Sequence, residues 1–347
     1  MTPAPDVSVI LPLFDDAASI GAVLAGLRAQ VTARRVEIIV VDDGSRDAGP
    51  QIARDMGARV ITQSNAGPAA ARNRGAQAAG GAVVLFLDSD CVPPPNWVEA
   101  MASVFDTKGF DAVMGTICAA NDGVVPRIVQ AEVDERYAGM RIASTGVDFI
   151  AAPACGFRRQ VFLALGGFDV RLRQAEDVEI AYRITTAGHR IGFVDTAAVA
   201  HHHQTGWAEF LRVKLRRARG RMEVFRLYPA KRRHDNWTPL RLKLQFGCAA
   251  ISLPMLLVAL ALAPRTGGLA LGLPLLCLGG LLWAGVPSIR AIAHRIAPRS
   301  GWGVGLLVGA AYVLARAYVI LLAVVQTKVF PRPLHHQPPQ PLCEDAR

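Results

Sequence analysis

Three pairs of carboxylates and a run of histidines carry the chemistry legible in this chain of 347 residues. Two short apolar runs, EIIVVDDGS over Glu37–Ser45 and AVVLFLDSD over Ala82–Asp90, each end in paired acids. In a parallel α/β sheet, ligands bind beyond the carboxyl ends of the strands, so acids placed there face a crevice and not the core. Such a crevice suits a metal-bound nucleotide. A third pair, Glu176 and Asp177, opens a helical stretch, and a carboxylate within hydrogen-bond reach of a hydroxyl can take its proton as it attacks. Each pair also has a purely structural reading. Acids favour the first turn of a helix, Asp88 and Asp90 suit turns and N-caps, and Asp43-Gly44 suits a plain turn. His201, His202 and His203 invite a metal site, but three successive residues of a strand cannot all point one way, so at most a subset can share an ion.

These side chains need a scaffold, and the hydrophobic pattern supplies one. Ser8–Phe14 reads as a buried strand and Ala17–Gln30 as a helix with Ile20, Val23, Leu24 and Leu27 on one face. Strand Val36–Val41, helix Asp47–Met56, strand Arg59–Thr62, helix Pro68–Ala79 and strand Ala82–Leu87 follow. This alternation predicts a doubly wound, mostly parallel sheet flanked by helices. Beyond Asp90 the pattern is less regular: helix from Pro93 through Phe105, strand Phe110–Cys118, helix Arg127–Ile142, helix Ala175–Ala187 ended by Gly188, and strand Arg190–Val194.

Composition changes sharply along the chain. Up to about Asn236 charged, polar and apolar residues are mixed, whereas from Phe246 to Val325 Leu, Ala, Val and Gly dominate. Phe246–Ala263, Gly267–Pro287 and Trp302–Val325 each approach the ~20 residues needed to cross ~30 Å of hydrocarbon. Three spans, or two if the last is not a full crossing, are expected rather than a buried hairpin. Met1–Asp6 has no basic n-region, so the amino-terminal domain is expected to stay where it is made. Arg290, Arg295 and Arg299 in a predicted loop Ser288–Gly301 place that loop and the amino-terminal domain on the cytoplasmic side of a cell (inner) membrane. Six scattered cysteines imply neither a disulfide framework nor a thiolate zinc site.

Most of the net charge of +10 has one address. Between Trp207 and Lys243 lie Arg212, Lys214, Arg216, Arg217, Arg219, Arg221, Arg226, Lys231, Arg232, Arg233, Arg241 and Lys243, opposed by Glu209, Glu223 and Asp235. Trp207, Leu211, Leu215, Ala218, Met222 and Phe225 keep helical spacing, which predicts an interfacial helix with its arginines among lipid phosphates. Adjacency to a membrane span favours lipid over nucleic acid as partner. Arg316, inside the third span, should face other helices or reach a headgroup.

In series these motifs resemble an inverting family-two glycosyltransferase with a GT-A-type nucleotide-sugar fold. The matching pieces are VILPLF (Val9–Phe14), VVDDGS (Val40–Ser45), NAGPAAARNRG (Asn65–Gly75), FLDSD (Phe86–Asp90), GGFD (Gly166–Asp169) and EDVEIAYR (Glu176–Arg183), in family order over roughly the first 200 residues. The resemblance implies that Asp90 ligates Mg²⁺ or Mn²⁺ and that Asp88 reaches the ribose or the metal, with His201 a further candidate ligand. It puts Pro12, Phe14, Asp42, Asp43 and Arg72 at the nucleotide-sugar, Asp43 against the base and Arg72 against base or phosphate, with UDP the expected nucleotide. Arg72 could instead be a surface helix cation. The catalytic base falls on Asp177, with Glu176 positioning it or the substrate. Where processive relatives carry QxxRW, this chain reads VKLRRARGR (Val213–Arg221), which implies one transfer per acceptor.

The expected organisation is a GT-A-type domain over 1–205, a basic amphipathic segment over 206–245, a helical membrane region over 246–330 and a disordered tail over 331–347. The implied activity is sugar transfer from a nucleotide-diphosphate donor to a lipid or lipid-linked acceptor in cell-envelope glycan synthesis. A non-catalytic membrane scaffold keeping the fold and a sugar nucleotidyltransferase are the competing readings. Retained acids speak against the first, and Glu176-Asp177 has no obvious task in the second.

Overall fold

Runs rich in Val, Ile and Leu that are buried on both faces can be satisfied only inside a sheet covered by helices. The computed structural model describes residues 3–107, 109–141, 146–232, 240–266, 268–330 and 339–342 and builds such a sheet. The chain runs β1 (Val7–Leu13), α1 (Ala17–Arg28), β2 (Val36–Asp42), α2 (Gly49–Asp55), β3 (Arg59–Thr62), α3 (Pro68–Ala78), β4 (Val83–Leu87), β5 (Cys91–Val92), α4 (Trp97–Thr107) and β6 (Ala112–Ala119). It continues through α5 (Val124–Arg141), β7 (Ala154–Arg158), α6 (Arg159–Ala164), α7 (Glu176–Thr186), β8 (Ile191–His201), α8 (Trp207–Leu227), α9 (Leu240–Thr266), α10 (Gly272–Ser300) and α11 (Trp302–Val329). Two structural units emerge, one of residues 1–121, 139–202 and 335–347, the other of 122–138 and 203–334.

In the first unit the strand order is β3-β2-β1-β4-β7-β6-β8-β5. Strands β1 to β4 pair in parallel as expected. The mostly parallel sheet is as expected, and its exceptions lie beyond β4: β7 is antiparallel to both β4 and β6, and β5 is antiparallel to β8. Both strands are too short for a period to show, and their partners lie far away in sequence. One face of the sheet packs α1 and α4 through Ile20, Val23, Leu24, Leu27, Trp97, Met101 and Phe105. Elsewhere Phe86, Phe157, Phe162 and Phe168 form a ring cluster with centroids 5.0–6.0 Å apart. Where β6 meets β8, the register shifts between Met114 and Thr116, and a Cβ on Gly115 would lie 2.6 Å from the Ala197 carbonyl oxygen. Gly115→Ala is therefore expected to cost about 1–3 kcal/mol, read as a lower midpoint in thermal unfolding.

Among the described residues, the second unit contains three helices long and apolar enough to cross a membrane, Leu240–Thr266, Leu269–Ser300 and Trp302–Val329. The predicted loop Ser288–Gly301 is corrected: α10 runs on to Ser300 and the chain reverses at Gly301. The charged residues of that stretch do not end the helix because they have acidic partners, Arg295 pairing with Asp134 of α5 and Arg299 with Asp122 just before α5. Arg316 of α11 faces its neighbours, donating to Gln245 Oε1 of α9 at 2.8 Å and Ser288 Oγ of α10 at 3.3 Å. Polar side chains from the other two spans thus satisfy a cation that lipid cannot. On α8 the buried stripe is Phe210, Val213, Gly220 and Val224, offset from the anticipated lipid face, whose Leu211, Leu215, Ala218, Met222 and Phe225 are half-buried. Lys214 pairs with Glu132 of α5, which also accepts from Arg136 at 2.6 Å. Residues 233–239 of the anticipated basic segment lie outside the described residues.

The tail expected to be disordered from Pro331 is placed over residues 339–342, within the first unit, while 331–338 and 343–347 lie outside the described residues. Leu342 N–H donates to the Leu163 carbonyl at 2.9 Å. The stretch lies against Gly166 and Gly167, where a Cβ would fall 2.5 Å from the Gln340 oxygen and 2.7 Å from Leu342 Cδ1. A glycine surface and one backbone hydrogen bond hold it, neither of which composition reveals.

Candidate active site

The site forms where β1, β2 and β4 end. Asp42 Oδ1 accepts from Ser45 N–H at 2.8 Å and closes the turn after β2. Asp43, 3% exposed, accepts at Oδ1 from Gln63 Nε2 and Ala66 N–H and at Oδ2 from Gly67 N–H, each at 2.8 Å. It thereby fixes the loop that starts α3, with Pro68 at the favoured first helical position. At the end of β1, Pro12 is half-buried and the Phe14 ring is 47% exposed.

Helix α3 then delivers Arg72. Its guanidinium is 4% exposed and donates to Asp88 Oδ1 at 2.6 Å and to Glu176 Oε1 at 3.1 Å. It is not the solvated helix cation that a basic residue on a short helix suggests. Phe168 lies beneath it, ring centroid 5.6 Å from Arg72 Cζ. That ring is positioned by Asn73, whose side-chain amide donates to the Phe168 carbonyl and accepts its N–H, both at 2.8 Å. Gly166 and Gly167, at φ 84° and 64°, make the reversal that lets this pairing form.

Asp88 and Asp90 diverge. Asp88 belongs to the Arg72 network, whereas Asp90, with its side chain 44% exposed, meets His201 Nε2 at 3.3 Å through Oδ2 and the Cys91 thiol at 3.4 Å through Oδ1. Burial pushes the Asp90 carboxyl up, but hydrogen bonding to His201 and its charge outweigh this and leave it below its ordinary value. Asp90, Cys91 and His201 each offer one ligand atom within 4.8 Å of the others. His202 is exposed, and His203, 5% exposed, pairs with Gln130 at 3.0 Å. Of the three histidines only His201 joins this group.

Helix α7 opens with the remaining pair. Ala175 precedes it at φ 67°, a left-handed conformation that costs a non-glycine residue and is concentrated at functional sites. Asp177 accepts from Val178 N–H at 2.8 Å and Ala152 N–H at 3.3 Å. Burial first, and the charge of Glu176 second, push its carboxyl up to about 6, against the pull of those two N–H groups and Arg72. A carboxylate so placed is a competent general base near neutral pH. Cys155 of β7, fully buried, feels the charges of Arg72, Asp177, Asp88 and Glu176 together, so these four groups share one neighbourhood.

Sequence reasoning missed Cys91, Cys155, Asn73 and the Ala152 N–H. Cys91 directly follows the acid pair and was within reach of a spacing argument. Cys155 and the Ala152 N–H depend on β7 and the residues just before it, which leave no periodic signal, and Asn73 on its pairing with the distant Phe168.

Residues 8–166 match the family model described as Glycosyl transferase family 2. Glycosyltransferase AglE of Haloferax volcanii is 28% identical over 236 residues, 64% of this chain and 75% of that protein. Pre-mycofactocin glycosyltransferase of Mycobacterium tuberculosis is 32% identical over 211 residues, 58% of this chain and 43% of that protein. This chain therefore spans less than half the length of the second relative. Among solved structures, the mannosyltransferase PcManGT from Pyrobaculum calidifontis, in complex with GDP-Man and Mn²⁺, superposes with a TM-score of 0.55 at 20% identity, over 95% of this chain and 89% of that one. That likeness is one of fold, the GT-A type.

Proposed function

From the match of residues 8–166 to the model of glycosyl transferase family 2 we propose a membrane-anchored, metal-dependent, inverting hexosyltransferase of that family. It moves a sugar from a nucleoside diphosphate, UDP by preference, to the hydroxyl of a lipid or lipid-linked acceptor. The observation that carries this reading is the half-buried Asp177 carboxyl, pushed up to about 6 and sharing its surroundings with Glu176, Arg72 and Asp88. Asp177 takes the proton of the acceptor hydroxyl as its oxygen attacks the anomeric carbon. The bond from that carbon to the diphosphate oxygen breaks, the nucleoside diphosphate leaves with the electron pair, and one displacement inverts the centre.

Asp90 and His201, an oxygen and a nitrogen donor on a half-exposed rim, fit Mn²⁺ or Mg²⁺ and are proposed to hold it. When bound, the ion offsets diphosphate charge. Asp88, with one oxygen taken by Arg72, is assigned to the ribose. Asp43 retains one of the about four acceptor sites of a carboxylate for a base N–H. Pro12 and the exposed Phe14 ring are assigned to the nucleotide. Arg72 acts through the carboxylates it bridges and not as a phosphate ligand. Three helices fit to span a membrane favour a lipid acceptor, and the VKLRRARGR stretch favours a single transfer.

The test uses the full chain in lipid nanodiscs with Mn²⁺, UDP- and GDP-sugars and a lipid extract. Nucleoside diphosphate release with a glycosylated lipid supports the reading. A parallel incubation with nucleoside triphosphates and sugar 1-phosphates that releases pyrophosphate would mark a nucleotidyltransferase, and silence in both incubations would mark a scaffold. Because the base works deprotonated, kcat/KM should fall about tenfold per pH unit below the Asp177 value and level off above it, with the bend at about 6.

A further inference from the structure

We propose that Cys91 completes a three-ligand site with Asp90 and His201 that takes thiophilic cations such as Zn²⁺ or Cd²⁺, which thereby compete with Mg²⁺ or Mn²⁺ for the enzyme. The inference rests on reading Asp90 and His201 as a cation site, and adds a ligand and a metal preference to it. Cys91 and His201 are directly opposite each other in the antiparallel β5–β8 pair, so their side chains leave the sheet on one face. Asp90 stands one residue before Cys91 and already touches both, at 3.3 Å to Nε2 and 3.4 Å to Sγ. A tetrahedral zinc with bonds of ~2.0–2.3 Å needs its ligand atoms roughly 3.3–3.7 Å apart. The two short contacts use different oxygens of Asp90, and one ligand atom of each residue lies within 4.8 Å of the others, so the three donors need to draw in by about an ångström at most to reach the spacing such an ion requires.

The donor set is unlike one made for a hard cation. Mg²⁺ and Mn²⁺ favour oxygen, Mg²⁺ demanding near-ideal octahedral geometry, and gain little from sulfur. Zn²⁺ and Cd²⁺ favour thiolate, and one Cys, one His and one carboxylate leave a fourth position open, the arrangement of sites that bind an exogenous ligand. Cys91 is 0% exposed, so adventitious thiol chemistry is shielded while an ion entering beside the half-exposed Asp90 is not. On binding, the S–H bond breaks, the sulfur–metal bond forms and the proton passes to buffer, with no oxidation or reduction. The dication then offsets the thiolate and the Asp90 carboxylate together, which removes the main obstacle to a thiolate between acids.

The full-length chain in detergent, stripped with chelator, is titrated with Cd²⁺, reading the ultraviolet thiolate-to-cadmium charge-transfer band. Mn²⁺ binding is followed in parallel by the loss of the free-ion paramagnetic resonance signal. The expected result is one band-forming Cd²⁺ that displaces Mn²⁺. Cys91→Ser should weaken Cd²⁺ on the order of 100-fold while shifting Mn²⁺ by less than about threefold, because oxygen replaces sulfur at an unchanged position. His201→Ala should weaken both ions, which a stray thiol such as exposed Cys118 would not show. Mn²⁺ binding without a Cd²⁺ band, or a band that survives Cys91→Ser, overturns the Cys91 inference and leaves the transferase reading standing. Failure of both ions to bind removes the underlying cation site as well.

Discussion

Asp177→Asn should lower kcat on the order of 10²–10⁴-fold, the range lost with a positioned general base, while nucleotide-sugar affinity stays near that of the parent. Asparagine keeps the size and its one oxygen can accept the Val178 N–H as Asp177 Oδ1 does, giving up only the longer 3.3 Å contact of the Ala152 N–H with the other carboxylate oxygen. Stability should move the other way. A carboxyl whose folded value, about 6, exceeds its ordinary value of 3.8 contributes stability below the unfolded pKa. That contribution is lost as pH rises through the folded one. At pH 8 the ionised Asp177 is a burden on the fold, and the asparagine variant should unfold at a higher temperature than the parent. At pH 4 the difference should shrink. Equal activity in Asp177→Asn would remove the base from the mechanism, and a lower melting point at pH 8 would contradict its buried charge.

Arg72→Ala carries the second large effect. The guanidinium bridges Asp88 and Glu176, with Asp177 beside them, and it is almost wholly buried. Removing one partner of a buried ion pair typically costs about 3–5 kcal/mol, because the remaining charge stays buried without compensation. Here two carboxylates are stranded, and Phe168 loses the cation above its ring. Arg72 also pulls the Asp177 carboxyl down, so its loss should move the acidic limb of the kcat/KM profile above pH 6. The double variant Arg72→Ala, Glu176→Gln should recover part of the stability, a non-additivity that distinguishes a charge network from lost packing. Arg72→Lys should rescue incompletely, since an ammonium cannot present the flat fork that reaches two carboxylates at once. An Arg72→Ala protein with unchanged melting and an unchanged acidic limb would show that the network holds nothing in place.

The first four parallel strands and their helices were legible because each is a local pattern: a short apolar run, a turn, an amphipathic helix. The three long apolar helices were legible for the same reason. The strand β7 was not, since ACGFR over Ala154–Arg158 shows neither period, and its insertion between β4 and β6 is decided by partners some 70 and 40 residues away. The helical run past Ser288 reads as a loop in the sequence because its arginines resemble a polar connection until Asp134 of α5 and Asp122 just before it are seen.

The sequence by itself determined which residue types are present and in what order: acids at strand ends, an acid pair at a helix start, an arginine on α3, a histidine at the end of the last strand, and apolar helices after them. Only the tertiary structure decided how these charges are shared. It gave Arg72 to Asp88 and Glu176, Asp43 to the loop before α3, His201 and Cys91 to Asp90, and a protonation near neutrality to Asp177. Chemical type and helical or strand period are properties of neighbouring residues along the chain. The burial and electrostatic field that set each carboxyl's task come from groups that meet only when β7, α7 and β8 close around them.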